Sequence, residues 1–136
     1  MESTIRKKYE NIPKHIEDAA SAAVDSAFNV HKKVGPGHLE KIYEFFMEVE
    51  LKKSGCNVKR QVRIPIVYDG IKYDEYIVVD ILVDDCLILE LKFIENMKPV
   101  NKYQLLSYLK LSGIRLGLLI NFDEANIGDG ITRIIN

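Results

Sequence analysis

Three charged residues interrupt the two most apolar segments of the 136-residue chain, with Asp80 inside YIVVDILV and Glu90 and Lys92 inside CLILELKF. An unpaired charge carried into a sheet interior costs several kcal/mol, so stability alone would favour valine or isoleucine there. Two converging carboxylates can hold a hard divalent cation, and a neighbouring lysine can orient water or neutralise a phosphate. These residue types therefore indicate metal-dependent phosphoryl chemistry, with a buried ion-pair network as the non-catalytic alternative.

Such a site requires a particular connection between the two strands. Glu90 and Lys92 are two residues apart, so on a strand their side chains leave the same face. Asp80 lies one hairpin away, across Asp84-Asp85. A two-residue loop would put Asp80 and Glu90 on opposite faces, whereas a three-residue loop or a bulge would set them opposite each other on one face. A shared site therefore predicts an odd-length loop or a bulged ladder.

Hydrophobic periodicity predicts the elements that position these residues. Helical spacing, ended each time by glycine, covers residues 14–34, His38–Ser54 and Pro99–Ser112. Alternating or continuous apolar runs predict strands at 58–66, 76–83, 86–93 and 116–122, with one more short strand at 130–135. The order α-α-β-β-β-α-β, with a helix crossing over between later strands, predicts an α/β fold with a mixed sheet flanked by helices.

The second helix and the first strand carry more specific predictions. One apolar face of the helix is predicted to comprise Leu39, Ile42, Phe46 and Val49. Pro65 cannot donate a hydrogen bond to a sheet ladder, which predicts an edge strand or a bulge. Asp69-Gly70 tolerates positive φ angles and predicts a tight hairpin turn.

Composition describes a globular chain and leaves its chemistry open. A hydrophobic fraction of 47% and a charged fraction of 29% exclude disordered and coiled-coil classes. The two cysteines form no CxxC or Cys/His cluster, which predicts reduced thiols in a cytoplasmic protein. Neither a membrane span nor a signal-peptide core is evident, so no membrane association is expected. Residues 1–136 are expected to form one domain, with 1–13 as an N-terminal extension.

The net charge of −1 excludes a protein that coats nucleic acid by bulk charge, but it hides an asymmetry. Residues 1–63 carry a formal charge of +3 and residues 64–136 one of −4. The candidate nucleic-acid contacts in the basic part are Lys52, Lys53, Lys59, Arg60 and Arg63. An ordinary solvated surface explains this cluster equally well.

The charged residues and the order of elements resemble a known pattern. Asp80, Glu90 and Lys92 form D-x(n)-E-x-K, as in the PD-(D/E)xK nuclease superfamily. More narrowly, GHLEKIY at residues 37–43 is similar to the name motif of the GxxExxY family, small and mostly uncharacterised proteins assigned to that superfamily. DILVDD, LILELK, QLLSYLKLSG and GLLINF follow the same family in order. The resemblance covers residues 14–136 and implies a restriction-endonuclease-like core.

The resemblance also implies roles for single residues. The implied ligands of Mg²⁺ or Mn²⁺ are Asp80, Glu90, the carbonyl group of Leu91 and Glu40. Lys92 would be the catalytic lysine and Gln104 would border the site, while Tyr108, one helical turn from Gln104, would be a further possible nucleic-acid contact. Taken without the resemblance, Glu40 could simply favour the helix dipole, and Gln104 and Tyr108 could form an ordinary polar helix edge.

The implied function is a Mg²⁺- or Mn²⁺-dependent nuclease that hydrolyses phosphodiester bonds in nucleic acid, with DNA the expected substrate. So small a chain offers little surface for sequence-specific readout, so a homodimer or a partner protein is expected to supply specificity. Two other functions stay open, and the modest charge favours them. One is a non-catalytic module on a nuclease fold that binds nucleic acid or protein, and the other is a metal-dependent hydrolase of a small phosphorylated substrate.

Overall fold

The predicted elements occur in the predicted order in the computed structural model, which describes residues 11–136. The helices are α1 (Lys14–Val34), α2 (Glu40–Lys53) and α3 (Pro99–Ser112). The strands are β1 (Val58–Tyr68), β2 (Ile71–Val83), β3 (Leu87–Lys92), β4 (Leu116–Asn121) and β5 (Ile131–Ile135), with a 3₁₀ turn at Ile127–Gly130. Residues 1–10 of the predicted extension lie outside the described residues, whereas Ile12 packs against the core.

The strands form one mixed sheet in the order β1-β2-β3-β4-β5. The β3–β4 pair is parallel because α3 crosses over between these strands, and the other pairs are antiparallel. Side chains from α1 and α2 cover one face of the sheet, and Leu105 and Leu109 of α3 cover the other. This architecture confirms the predicted α/β class. Within residues 11–136, every helix lacks the length or the apolar character needed to cross a bilayer.

The loop between β2 and β3 has three residues, as the shared-site hypothesis predicted. Val83 pairs with Leu87 and Ile81 with Leu89, which sets Asp80 opposite Glu90. Asp84 and Asp85 adopt φ angles of 50° and 56°. Aspartate tolerates this left-handed region better than most residues, because its short side chain can hydrogen-bond locally. The turn chemistry of the sequence therefore sets the register of the hairpin.

The predictions for the first strand are confirmed. β1 is an edge strand, and its pairing with β2 shifts register between Pro65 and Val67. Asp69 and Gly70 both have positive φ in the hairpin turn. β2 is longer than the predicted run 76–83, and it is buried only from Val79 onward. The outer half of the hairpin is therefore exposed on at least one face.

Of the four residues of the predicted apolar face of α2, Phe46 packs against the core and the other three are exposed. Leu39, Ile42 and Val49 are 76%, 40% and 37% exposed. The helix instead buries a neighbouring stripe with spacing i, i+4, i+8, comprising Tyr43, Met47 and Leu51. Both stripes are apolar, and the rotation of α2 is decided by packing, since the Tyr43 ring stacks on Phe122 with centroids 4.2 Å apart.

Tyr43 fixes the turn that leads into α2, and its replacement by phenylalanine is expected to destabilise the protein. Its hydroxyl donates to the carbonyl oxygen of Gly35 at 2.7 Å and accepts from the His38 N–H at 3.3 Å. Tyr43→Phe should lower the free energy of unfolding by about 1–2 kcal/mol, measured by urea denaturation, because the change leaves these groups without their partner. Tyr103→Phe, at a 69% exposed position, is the matched control and should change it little. An equal loss in both variants would contradict this account of the turn.

Candidate active site

In β1 and β2 the regular alternation of side chains between the two faces of the sheet is interrupted at Gln61 and Asp80. On one side of this point Val58 and Ile81 pack in the core beneath α1 and α2. On the other side Val62 and Val79 pack in the core beneath α3. The pairing register is unshifted across the change. Gln61 has a φ of 51° there, a conformation that costs a non-glycine residue about 1–2 kcal/mol. A backbone kink, rather than an inserted residue, therefore opens the sheet beside Asp80.

A cavity of about 710 Å³ lies at this opening. It is lined by Glu40, Lys41, Glu44, Glu48, Arg60, Gln61, Asp80, Leu91 and Lys92. Four residues predicted to bind the metal or act in catalysis, Glu40, Asp80, Leu91 and Lys92, thus line one cavity together with the predicted contact Arg60, whereas Glu90 does not line it. Its volume lies in the range of small-ligand sites, about 300–1,000 Å³.

Asp80 and Glu90 converge at the end of the β2–β3 ladder, which pairs only three residues of each strand. The Asp80 N–H donates to Glu90 Oε1 at 3.0 Å, and the Leu91 N–H donates to Asp80 Oδ2 at 2.9 Å. Each carboxyl group therefore replaces a ladder bond and fixes the other strand. Glu90 is only 6% exposed. Burial, and then the charge of Asp80, raise the pKa of Glu90 to about 8, and the charge of Lys92 acts in the opposite direction.

Lys92 ends β3 and is half-buried at the cavity wall. The chain beyond it is held by Asn121, which is 1% exposed. The Asn121 side chain accepts from the Ile94 N–H at 3.1 Å and donates to the Ile94 carbonyl oxygen at 2.9 Å. The Phe122 N–H also donates to the carbonyl oxygen of Lys92 at 2.9 Å. Among the described residues Lys92 forms no ion pair, so its ammonium group is available to a ligand.

Glu44 and Gln61 line the same cavity, although neither was predicted as a site residue from the sequence. Glu44 is 5% exposed and accepts from Arg60 Nε at 2.8 Å and from Gln61 Nε2 at 2.7 Å. Gln61 Nε2 also lies 3.4 Å from Asp80 Oδ1. The only sequence signal for Glu44 is its position one helical turn after Glu40, which puts both side chains on one face of α2.

The two candidates on α3 differ in their placement. Tyr108 is half-buried, and its pKa is raised first by burial and then by the charges of Glu90 and Asp80. Gln104 is exposed and does not line the cavity. Helical spacing puts it on the face of Tyr108, one turn away. Tyr108 therefore approaches the carboxylates from the α3 side, and a role for Gln104 stays a prediction.

Most of the predicted basic contacts are paired with carboxylates. Lys52 lies 3.6 Å from Glu48, Lys53 3.8 Å from Glu50 and Lys59 2.8 Å from Asp85. Arg60 pairs with Glu44 and Glu48. Arg63 instead lies over the ring of Tyr76, 4.7 Å from its centroid. Of the five predicted contacts, Arg63 alone forms no ion pair within residues 11–136.

The sequence profile of the PD-(D/E)XK nuclease superfamily matches residues 17–134, a range that contains Glu40, Asp80, Glu90 and Lys92. This chain belongs to the PD-(D/E)XK nuclease superfamily. The match confirms the superfamily that Asp80, Glu90 and Lys92 predicted, whereas the narrower GxxExxY resemblance stays a prediction.

The fold of this superfamily member is similar to a solved structure. The crystal structure of SSO0001 superposes with a TM-score of 0.53 at 22% sequence identity, over 71% of this chain and 50% of that chain. The chain thus spans half the length of SSO0001, and the likeness concerns the fold alone. No curated protein matches the sequence.

PD-(D/E)XK nucleases generally use divalent metals, typically Mg²⁺, and the oxygen donors present here fit such an ion. Within residues 11–136 no group of three or more His, Cys, Asp or Glu side chains is arranged to hold a metal. Mg²⁺ needs no such group, because it keeps several waters and binds through one or two carboxylates plus phosphate. Asp80 and Glu90 form such a pair, and a cation between them would counter both causes that raise the pKa of Glu90, its burial and the charge of Asp80.

Proposed function

We propose that this chain is a divalent-metal-dependent nuclease that hydrolyses phosphodiester bonds in nucleic acid, with DNA as its substrate. The convergence of Asp80 and Glu90, next to a cavity that Asp80 and Lys92 line, carries the proposal. Membership of a nuclease superfamily supports it. A second copy of the chain or a partner protein would supply specificity, and a cytoplasmic location is part of the same proposal, in keeping with the free thiols of Cys56 and Cys86.

In the proposed mechanism residues of β2, β3 and α2 would hold the ion, and Lys92 would hold the water. Asp80, Glu90 and the carbonyl group of Leu91 would bind Mg²⁺ or Mn²⁺, with Glu40 contributing from the first turn of α2. When bound, the ion acidifies water and stabilises the additional negative charge on the phosphate. Lys92 donates a hydrogen bond to the attacking water or to a phosphate oxygen, and its position is fixed by the chain around Asn121.

A metal-dependent hydrolase of a small phosphorylated substrate is the second candidate. The pairing of Lys52, Lys53, Lys59 and Arg60 with carboxylates favours it, because paired cations bind a long polyanion less strongly. A non-catalytic binding module is the outcome in which nucleic acid binds and no phosphate bond breaks.

Arg63→Ala is expected to weaken nucleic-acid binding more than Lys52→Ala does. Arg63 is not neutralised by a described carboxylate, and Tyr76 beneath it is 47% exposed, so the pair offers a charge and a stacking surface. The loss should be about fivefold in Kd, or ~1 kcal/mol, measured by fluorescence anisotropy in EDTA. The Lys52→Ala loss should be smaller, because Glu48 already pairs with that lysine. Equal losses would contradict a specific role for Arg63.

Cleavage assays on defined substrates test the proposed function. Purified protein is incubated with single- and double-stranded DNA and RNA, and with a small phosphodiester, in Mg²⁺, Mn²⁺ or EDTA. We expect cleavage of DNA that requires the metal and is lost in Lys92→Ala but kept in Lys110→Ala, an exposed lysine of α3. Cleavage that survives Lys92→Ala would refute this site, and cleavage of the small diester alone would favour the second candidate.

A further inference from the structure

The roles proposed for the metal ligands and for Lys92 do not explain the backbone conformation of the kink residue Gln61. It holds a φ of 51° in the middle of a paired strand, where neither glycine nor a short polar residue eases the left-handed conformation. Strained residues of this kind persist where the surrounding structure holds them, and they cluster at functional sites. Gln61 also lines the cavity beside Asp80 and Lys92.

The orientation of the Gln61 amide follows from its neighbours. Nε2 lies 2.7 Å from Glu44 Oε2 and 3.4 Å from Asp80 Oδ1. Ionised carboxylates only accept hydrogen bonds, so the amide must present its NH₂ group to them. Glu44 is itself held by Arg60, whose Nε donates to Oε1 at 2.8 Å. The carbonyl oxygen Oε1 of Gln61, an exposed residue that lines the cavity, is thus left without a hydrogen-bond donor among the described residues.

We propose that Gln61 is a positioning residue for the attacking water, which donates a hydrogen bond to Oε1. The inference rests on the proposed nuclease function. Lys92 can only donate, so it contacts the oxygen of the attacking water and not its hydrogens, and a second group that accepts one of those hydrogens is needed to orient the water. Glu44 already accepts hydrogen bonds from Arg60 and Gln61, and Asp80 accepts them from Leu91 and Gln61, whereas Gln61 Oε1 accepts none from a described residue.

The hydrolytic step balances without a base at Gln61. The water oxygen forms a bond to phosphorus, and the bond from phosphorus to the leaving oxygen breaks. The proton of the water passes to bulk solvent through the open cavity, because a neutral amide does not accept it, and the leaving oxygen takes a proton from solvent. Gln61 therefore contributes orientation rather than proton transfer.

Two variants test this role. Gln61→Met keeps the length of the side chain and removes the amide, and Gln61→Gly removes the amide while easing the left-handed backbone. Both should lower kcat about 10- to 100-fold with KM and the Mn²⁺ Kd unchanged, since misplacing a reacting group is costly even when binding is intact. The melting temperature should not fall in Gln61→Gly.

A readout that does not depend on cleavage is water-proton relaxation of the Mn²⁺-loaded proteins. Loss of the Oε1 acceptor should change the relaxation enhancement in both variants, because a water held at the ion then exchanges faster. Unchanged relaxation and unchanged kcat would overturn the inference, and so would a kcat loss matched by losses of melting temperature and Mn²⁺ affinity. If the wild-type protein cleaves nothing, the proposed function fails, and the relaxation difference alone decides on Gln61.

Discussion

Asp80→Asn is expected to lower metal-dependent cleavage by at least about 10³-fold, the largest effect of any single change in the chain. Asparagine preserves the shape of the side chain and can still accept the Leu91 N–H, which now lies 2.9 Å from Asp80 Oδ2. It removes the negative charge that would bind the cation opposite Glu90. A loss of several kcal/mol of transition-state stabilisation corresponds to this fall in rate. Initial rates with Mg²⁺ and with Mn²⁺ measure it.

The control for Asp80→Asn is Asp85→Asn, which removes the same charge from the exposed loop of the same hairpin. Asp85 pairs with Lys59 at 2.8 Å and does not line the cavity. Its replacement should leave the rate within about twofold, and calorimetry should show Mn²⁺ binding lost only in Asp80→Asn. Retained Mn²⁺ binding in that variant would mean that Asp80 and Glu90 form a structural network and not a metal site.

Local signals predicted most of the fold. Helices and strands follow from periodicity, and their ends from glycine and from Asp-Gly or Asp-Asp turns, which act within a few residues. The convergence of Asp80 and Glu90 was also predictable. Side chains alternate between the two faces of a strand, so the length of the hairpin loop decides which residues lie opposite each other on the same face. Three loop residues, Asp84 to Cys86, were enough to place two carboxylates face to face.

Features that depend on packing between distant elements were not predictable. α2 carries two overlapping apolar stripes, and the stacking of Tyr43 on Phe122, 79 residues away in sequence, decides which stripe is buried. Gln61 looks like an ordinary exposed strand residue in the sequence, and its kink becomes visible from its φ of 51° and from the two cores on opposite faces of the sheet. The pairing of the basic cluster likewise depends on acidic residues of α2 and of the β2–β3 loop.

The carboxylate pair Asp80 and Glu90 has two opposite effects on the stability of the folded protein. Asp80 and Glu90 satisfy backbone N–H groups where the ladder ends, which favours the fold. Their mutual repulsion and the burial of Glu90 oppose it whenever both are ionised without a cation. The free energy of unfolding of the metal-free protein should therefore be lower than its packing alone would give. The size of this reduction should depend on pH.

Glu90→Gln is accordingly expected to stabilise the protein in EDTA at pH 8. The pKa of Glu90 is raised to about 8 in the folded protein. Ionisation of this group therefore disfavours folding once the pH rises above the pKa that Glu90 has in the unfolded chain. Glutamine stays neutral and can still accept the Asp80 N–H. The gain in the free energy of unfolding should be on the order of 2–4 kcal/mol near pH 8 and should shrink toward zero near pH 4, measured by urea denaturation across pH.

Glu50, a carboxylate whose pKa is shifted in the opposite direction, provides the control. The Lys33 ammonium group, 2.5 Å from Glu50, holds the pKa of Glu50 below its usual range. Ionised Glu50 therefore supports folding above its unfolded pKa, and Glu50→Gln should destabilise the protein at pH 8, with the loss vanishing as the pH falls through the folded pKa. Saturating Mn²⁺ should raise the stability of the wild type and of Glu50→Gln but not of Glu90→Gln, because only a ligand that binds the folded state stabilises it. If Glu90→Gln is instead less stable than the wild type in EDTA at pH 8, the two carboxyl groups do not repel each other, and the case for a cation between them is lost.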